Sequence, residues 1–452
     1  MSELALFGGK PAVTYVGTGK NDGTDMFKWP VITKEDEEAA LSVLRVGGMS
    51  GTNVTKEFEA DFCKWVGAKY ALGTCNGTAA LHAAMFGCGV GRGDEVICPS
   101  RTYWASCTSA LTLGATVVFG DIDPNTLCLD PKKLEAKITS KTKAIIVVHY
   151  LGYPADMDEI MAIAKKHNVK VIEDVSHAQG GLYKGRKLGT IGDVAAMSLM
   201  AGKSLAIGEA GILHTDDIEI YERAIAFGTY ERFSKDFQTE YLRPLAGLPL
   251  GGYKHRMHQI SAAVGRVQLK YYDERCATIR KAMNYFWDLL EGVPGIRAHR
   301  VDESTGSNMA GWYAAHGLYV PEELEGLSVT RFCEALRAEG VDAVSAGCNL
   351  PLHTHPLFQV ADVYNDGKPT RIAFTDKDVR EMDNDLDVCE DIGARTYSIP
   401  WFKNYEPEVI EQYANAFKKV CANYKELLAD DPGNPAQLGG WHFFQHTAKK
   451  KA

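Results

Sequence analysis

The stretch KVIEDVSHAQG (170–180), with GDVAAMSLMAGKSLAIGEAGI (192–212) after it, decides how the chain is read. Each opens on a short apolar or alanine-rich run and ends in residues with chemistry to offer: Glu173 and Asp174 in the first, Ser198 and Lys203 in the second. On a parallel strand Asp174 falls at the carboxyl edge, where open α/β sheets bind ligands. An acid in that place also serves as a helix cap, so this segment alone leaves both readings standing. Small neighbours of Lys203 let a bulky ligand approach the backbone. A lysine there is either a solvated surface charge or, when desolvated or beside another cation, an amine of lowered pKa able to form a Schiff base with an aldehyde cofactor.

Runs of the same kind lie on both sides: KYALGT (69–74), DEVICPS (94–100), TVVFGDI (116–122), KAIIVVHY (143–150), VAAMSLM (194–200) and AGILHT (210–215). Between them TAALHAAMFG, YWASCTSALTLG and MDEIMAIAKKHN place apolar residues at three and four spacing. This alternation predicts an α/β fold whose large domain holds a mostly parallel, seven-stranded sheet flanked by helices. Residues 258–292 read as one long or kinked helix linking two domains. Beyond it AHGLYV (315–320) and RTYSIP (395–400), with helices near 328–339 and 406–428, predict a smaller α+β domain. The expected division is a segment 1–45 near the small domain or a dimer interface, a large domain 46–275, a small domain 276–430, and an extension 431–452 outside the core.

Composition narrows the function classes. A chain of 452 residues with 45% apolar and 24% charged content buries a large core. Its net charge of -9 argues against general affinity for nucleic acid or anionic membrane. No run reaches the roughly 18 apolar residues of a spanning helix, and the opening MSELALFGGKPAV lacks a basic region, so a cytoplasmic location is expected. The 11 cysteines stand singly, which suggests neither a metal site nor a disulfide framework.

A third motif, GTCNGTAALHAA (73–84), runs from a strand directly into a helix. Free amides at a helix N-terminus seat phosphate, although Asn-Gly-Thr before a helix is also an ordinary turn and cap. GCGVGRGDE (87–95) resembles a dinucleotide loop but follows a helix and precedes a strand, the reverse of the required order. A phosphate seat, an acid at a strand end and a lysine after a later strand are together the three contacts that pyridoxal 5'-phosphate requires.

In order and spacing the chain resembles the DegT/DnrJ/EryC1/StrS sugar aminotransferases, a branch of the fold type I pyridoxal-phosphate enzymes. The resemblance runs over roughly residues 5–425 and rests on LFGGKPAV, NGTAALHAA, PSRTYWAS, GATVVFGDIDPNTLCLDP, TKAIIVVHYLGYPADMDEI, IEDVSHAQGG, GTIGDVAAMSLMAGKSLAIGEAG and HRMHQISAAVGRVQL. It implies that Lys203 forms the internal aldimine and moves the proton, and that Asp174 pairs with the pyridine nitrogen. It likewise implies that Gly77, Thr78 and Ser198 hold phosphate and that Tyr103 stacks on the ring, with Trp104 the alternative one position on. The implied reaction is a ping-pong transfer from glutamate or glutamine to a keto sugar or keto cyclitol, in a homodimer with active sites at the interface. The same fold also carries pyridoxamine-dependent sugar dehydratases, which characteristically replace the lysine with histidine, and non-catalytic regulatory members.

Three positions depart from the family pattern. His177 stands where many relatives have a glutamine that contacts the cofactor's phenolic oxygen. Lys254 replaces an asparagine that reaches the neighbouring subunit's phosphate. AIGEAG (206–211) replaces a glycine-richer turn, which makes Glu209 either a site residue or a turn acid. Tyr230, Glu231 and Arg232 read as donor or substrate contacts or as a solvated helix end, and His353 and His355 as pocket loop residues rather than a metal pair.

Overall fold

The computed structural model describes residues 3–232 and 237–441. The seven runs form one sheet: β1 (Tyr70–Thr74), β2 (Glu95–Pro99), β3 (Thr116–Gly120), β4 (Thr142–Val148), β5 (Lys170–Asp174), β6 (Val194–Ser198) and β7 (Gly211–Thr215). Their order across the sheet is β1-β7-β6-β5-β4-β2-β3. Strands β3, β2, β4, β5 and β6 pair in parallel, whereas β7 runs antiparallel to both β1 and β6. That reversal brings the start of β7 to the edge where the parallel strands end: Gly211 faces Thr74 on one side and Ser198 on the other.

Strands β2, β3 and most of β4 are buried on both faces, which is why their sequence shows apolar runs rather than alternation. Helices α1 (Lys34–Arg45), α2 (Asn53–Val66), α3 (Gly77–Gly87), α4 (Ala105–Thr112), α5 (Met157–His167) and α6 (Ile218–Gly228) supply the flanking layers. A capping box starts α1, with Thr33 accepting from the Asp36 amide and Asp36 accepting from the Thr33 amide.

Helix α7 (Gln259–Leu289) is a single element of 31 residues, about 46 Å long at 1.5 Å per residue. It passes through two apolar clusters. Ala262, Leu269, Tyr272 and Cys276 belong to the sheet's cluster, and Ile279, Met283, Phe286 and Trp287 to a second one. The second cluster gathers a three-stranded antiparallel sheet, β8 (Ile296–Ala298), β9 (His316–Tyr319) and β10 (Thr396–Ser398), with helices α8 (Val329–Ala338) and α9 (Pro407–Ala422). Leu4, Val13 and Met26 pack into it as well.

The segment between α8 and β10 does not stay with the second cluster. Leu352, Phe358, Val379, Leu386 and Cys389 pack on the first, beside β3 and β2. Residues 431–441 are also seated against the body rather than extended from it. Asp431 accepts from the Ser328 amide and hydroxyl at the start of α8, Leu350 N–H donates to the Gly440 carbonyl, and the Trp441 ring lies 4.4 Å from His355. An extension outside the core is thus corrected for these residues: Gly439, at φ +99°, packs so closely on the Cys348 carbonyl that no side chain would fit. The remainder of that segment, 442–452, lies outside the described residues.

Candidate active site

Asp174 is the last residue of β5 and is buried. Its two oxygens are fixed separately: Ser106 Oγ in α4 donates to Oδ2 at 2.8 Å, and the Ser176 amide donates to Oδ1 at 3.0 Å. The preceding acid, Glu173, points the other way into the sheet's flank, where His149 Nε2 and the amides of Gly189, Ile191 and Gly192 surround it. Adjacent residues of one strand face opposite sides, so Glu173 orders a loop while Asp174 faces the edge. His177, one turn beyond, accepts the Leu151 N–H at Nδ1, which leaves Nε2 as its donor. The Tyr150 ring lies 5.6 Å from the His177 ring and the Tyr313 ring 4.9 Å.

Lys203 follows β6 in a turn closed by its own amide to the Met200 carbonyl. Burial pulls its amine from the usual 10.5 down to about 8, against a weaker opposing pull from Asp174. Its Nζ sits 4.2 Å from the centre of the Tyr313 ring, an attraction between cation and ring face. The Lys203 carbonyl accepts the Trp29 indole N–H at 2.8 Å, so the N-terminal segment holds the lysine's backbone from behind. Trp401 completes this wall, with ring centres 5.6 Å from Trp29 and 6.0 Å from Tyr313.

The start of α3 lies beside these groups. Asn76 caps it, accepting the Ala79 amide on its side chain and the Ala80 amide on its carbonyl, which leaves the Gly77 and Thr78 amides without an acceptor inside the helix. A Cβ on Gly77 would come within 2.7 Å of Ser198 Cβ, and one on Gly211 within 2.3 Å of the Asn76 carbonyl carbon. Only glycine lets this helix start close down on β6 and β7. Gln179 ties the floor together, donating to the Ser198 carbonyl and accepting from Ser204, whose hydroxyl also meets Tyr272 at 2.7 Å. Asp174, His177, Lys203, Ser198, Gly77 and Thr78 therefore converge on one edge.

The model of the DegT/DnrJ/EryC1/StrS aminotransferase family matches residues 30–418. This chain belongs to that family. It is 37% identical over 304 residues to the GDP-perosamine synthase of Caulobacter vibrioides, covering 67% of this chain and 78% of that protein. It is 32% identical over 364 residues to a putative L-glutamine:3-amino-2,3-dideoxy-scyllo-inosose aminotransferase of Streptoalloteichus tenebrarius, covering 80% and 84%. Among solved structures, 3-amino-5-hydroxybenzoic acid synthase superposes with a TM-score of 0.73 at 27% identity, over 88% of this chain and 98% of that one. These likenesses agree with the fold type I architecture.

In this family member the other candidate residues separate by position. Tyr103 is half-buried and its hydroxyl acts electrostatically on Tyr313, which places it on the Lys203 side. Trp104 packs against the sheet's core instead. Lys254 is exposed, and so is Glu209. His353 is buried at the end of β2, with Ser100 Oγ 2.8 Å from Nδ1 and Glu390 3.2 Å from Nε2, while His355 caps the short helix Pro356–Gln359. No group of three or more potential metal ligands occurs among the described residues.

Arg232 is not a solvated helix end. Its Nη1 meets Glu59 at 2.6 Å, and the same Glu59 oxygen accepts the Gly73 amide of β1. Burial pushes the Glu59 carboxyl up, and Arg232 opposes that rise. Arg232→Ala leaves this carboxylate buried beside a strand without its partner, an effect of roughly 3–5 kcal/mol. We expect a clear fall in the thermal unfolding midpoint of R232A and recovery of part of it in R232A/E59Q.

Sequence reasoning missed Tyr313, Trp29 and Ser106. Ser106 follows Tyr103 by three residues, so the turn it begins was a usable signal; the other two lie in loops far from Lys203 in sequence.

Proposed function

We propose that this chain is a pyridoxal-phosphate-dependent aminotransferase that moves an amino group from glutamate or glutamine to a keto sugar or keto cyclitol. The observation that carries the reading is the buried Lys203 amine, its pKa lowered by that burial, on the same sheet edge as the fixed Asp174 carboxylate and the glycine-built start of α3. The residues fit the cofactor: the free amides of Gly77 and Thr78 with the Ser198 hydroxyl suit its phosphate, Asp174 its pyridine nitrogen, His177 its phenolic oxygen and Tyr103 its ring face. When bound, pyridoxal 5'-phosphate supplies an aldehyde that carries the amino group between substrates and a ring that takes up the electron pair left by the departing proton.

The chain's own residues do the rest. Asp174, held by Ser106 and Ser176, keeps a proton on the ring nitrogen. With the cofactor in place, Lys203 Nζ would take the proton from the donor's α-carbon and deliver it to the carbon on the far side of the amino nitrogen. Tyr313 and Trp401 form an apolar wall that excludes water from that amine. The presence of lysine at position 203 favours transamination over the dehydratase chemistry of histidine-bearing relatives. The likeness to a GDP-perosamine synthase and to a putative L-glutamine:3-amino-2,3-dideoxy-scyllo-inosose aminotransferase supports both acceptor classes.

We also propose a homodimer in which Lys254 reaches the partner's site. Leu44, Val46, Met49, Leu248, Leu250 and Tyr253 are exposed apolar residues. The chain around Met49 is joined to that around Lys254 by Arg256 donating to the Ser50 carbonyl. A soluble, cytoplasmic setting fits the absence, among the described residues, of any helix long and apolar enough to cross a membrane.

Incubation of the holoenzyme with glutamate or glutamine should shift the cofactor spectrum to that of the aminated form, and a panel of nucleotide-linked keto sugars and inososes should reverse it. Failure of every donor to change the spectrum sinks the aminotransferase reading. The pH dependence of cofactor capture gives a separate check. An amine that titrates near 8 is about one-tenth neutral at pH 7, against about one part in three thousand at the ordinary 10.5. Capture by the apoprotein should therefore rise about tenfold per unit below pH 8 and flatten above it.

A further inference from the structure

A second cavity, of about 360 Å³, lies behind the Trp29 wall and is lined by Thr33, Tyr271, Glu274, Arg275, Thr278, Lys403 and Asn404 together with Trp29 and Val31. It is set between α7, the start of α1 and the loop after β10, and shares Trp29 with the Lys203 turn. Two cations face it, and neither forms an ion pair among the described residues. Arg275 donates to a neutral amide, Gln268 Oε1, and Lys403 Nζ donates to the Phe27 carbonyl at 2.6 Å. Glu274, beside Arg275, is the one carboxylate on the lining, and the other acids that act on the two cations over a distance are already engaged. Asp36 accepts from Thr33 and Gln268, and Asp25 from the amides of Gly19, Phe27 and Lys28. Burial lowers both cations' pKa values, that of Lys403 to about 8, and the carboxylates around them offset this only in part.

Unpaired, partly desolvated cations on a polar cavity form a seat for an anion. Thr33, Thr278, Tyr271 and Asn404 add hydroxyl and amide groups around it, and Trp29 closes one side. We propose that this cavity binds a small organic carboxylate, held by Arg275 and Lys403 and separate from the Lys203 centre. A guanidinium presents paired donors that match the two oxygens of a carboxylate, and the cavity is of the size that small metabolites fill. Trp29 connects the two places directly, since its indole lines the cavity while its N–H holds the Lys203 carbonyl. A ligand there presses on the ring that fixes the lysine's backbone.

The test is calorimetric titration of the cofactor-loaded protein with succinate, with inorganic phosphate as a second probe. Succinate should bind in the millimolar range or tighter, and Arg275→Gln and Lys403→Met should each weaken it at least tenfold. Trp29→Phe should abolish the fluorescence change that accompanies binding. The same variants are read for folding by circular dichroism and for turnover with saturating donor, neither of which depends on succinate. No heat at tens of millimolar succinate, or equal affinity in wild type, R275Q and K403M, overturns the proposal. Phosphate binding with loss in both variants and no succinate binding overturns the carboxylate assignment. None of these outcomes bears on whether the Lys203 centre transaminates.

Discussion

Lys203→Ala is expected to lower turnover by roughly 10⁴-fold while leaving the fold and much of the cofactor affinity intact. The amine has two tasks in the proposed reaction, holding the cofactor covalently between turnovers and carrying the proton between two carbons. Tyr313, His177 and Tyr103 surround the position, but neither phenol lends itself to the base's task, because burial raises its pKa. The affinity remains because the phosphate seat at Gly77, Thr78 and Ser198 does not involve the amine. The measurement is steady-state transamination beside borohydride reduction and peptide mapping. Wild-type protein should acquire the reduced cofactor on Lys203 alone, and K203A should acquire none. Turnover within tenfold of wild type, or an adduct on another lysine, removes Lys203 from the mechanism.

Asp174→Asn is expected to cost about 10²- to 10³-fold in turnover with little change in substrate affinity. The carboxylate is held from both sides by Ser106 and Ser176, so the amide retains the shape but loses the charge that keeps a proton on the ring nitrogen. The electron pair released in the proton transfer is then poorly accommodated. A variant that lowers kcat and leaves donor KM within about threefold fits this role, since the lost interaction is made mainly in the transition state. Unchanged kcat removes the assignment. Ser106→Ala leaves one carboxylate oxygen without its hydrogen bond and should fall between wild type and D174N.

Much of this was legible in the chain, and the omissions have physical causes. Seven buried runs, the first five separated by helical segments, define the sheet. The direction of β7 is another matter, because a fully buried five-residue strand carries the same apolar content whichever way it runs. Asp174 and Lys203 could be read because one ends a strand and the other lies in the turn after the next, so both fall at the sheet's edge. Tyr313 could not. It reaches Lys203 from a loop in which Ala310, Trp312 and Ala314 all adopt positive φ, a backbone path that their residue types disfavour. Such a path is maintained by tertiary packing, here Trp401 donating to the Gly311 carbonyl and Ser204 pressed against Gly311. Residues 431–441 carry the turn composition of a loose tail; their docking depends on Gly439 fitting a partner about ninety positions earlier.

The return of residues 348–392 to the first cluster also sets an order in time. Arg101, two residues before Tyr103, is fully buried and directs its guanidinium to the carbonyls of Cys389, Asn349 and Glu390. A ribosome that has released the whole seven-stranded sheet still holds the partners of that arginine. The edge that carries Tyr103 is thus finished only as the last quarter of the chain emerges, and a nascent chain stopped at position 275 would present the lysine turn with one of its walls missing.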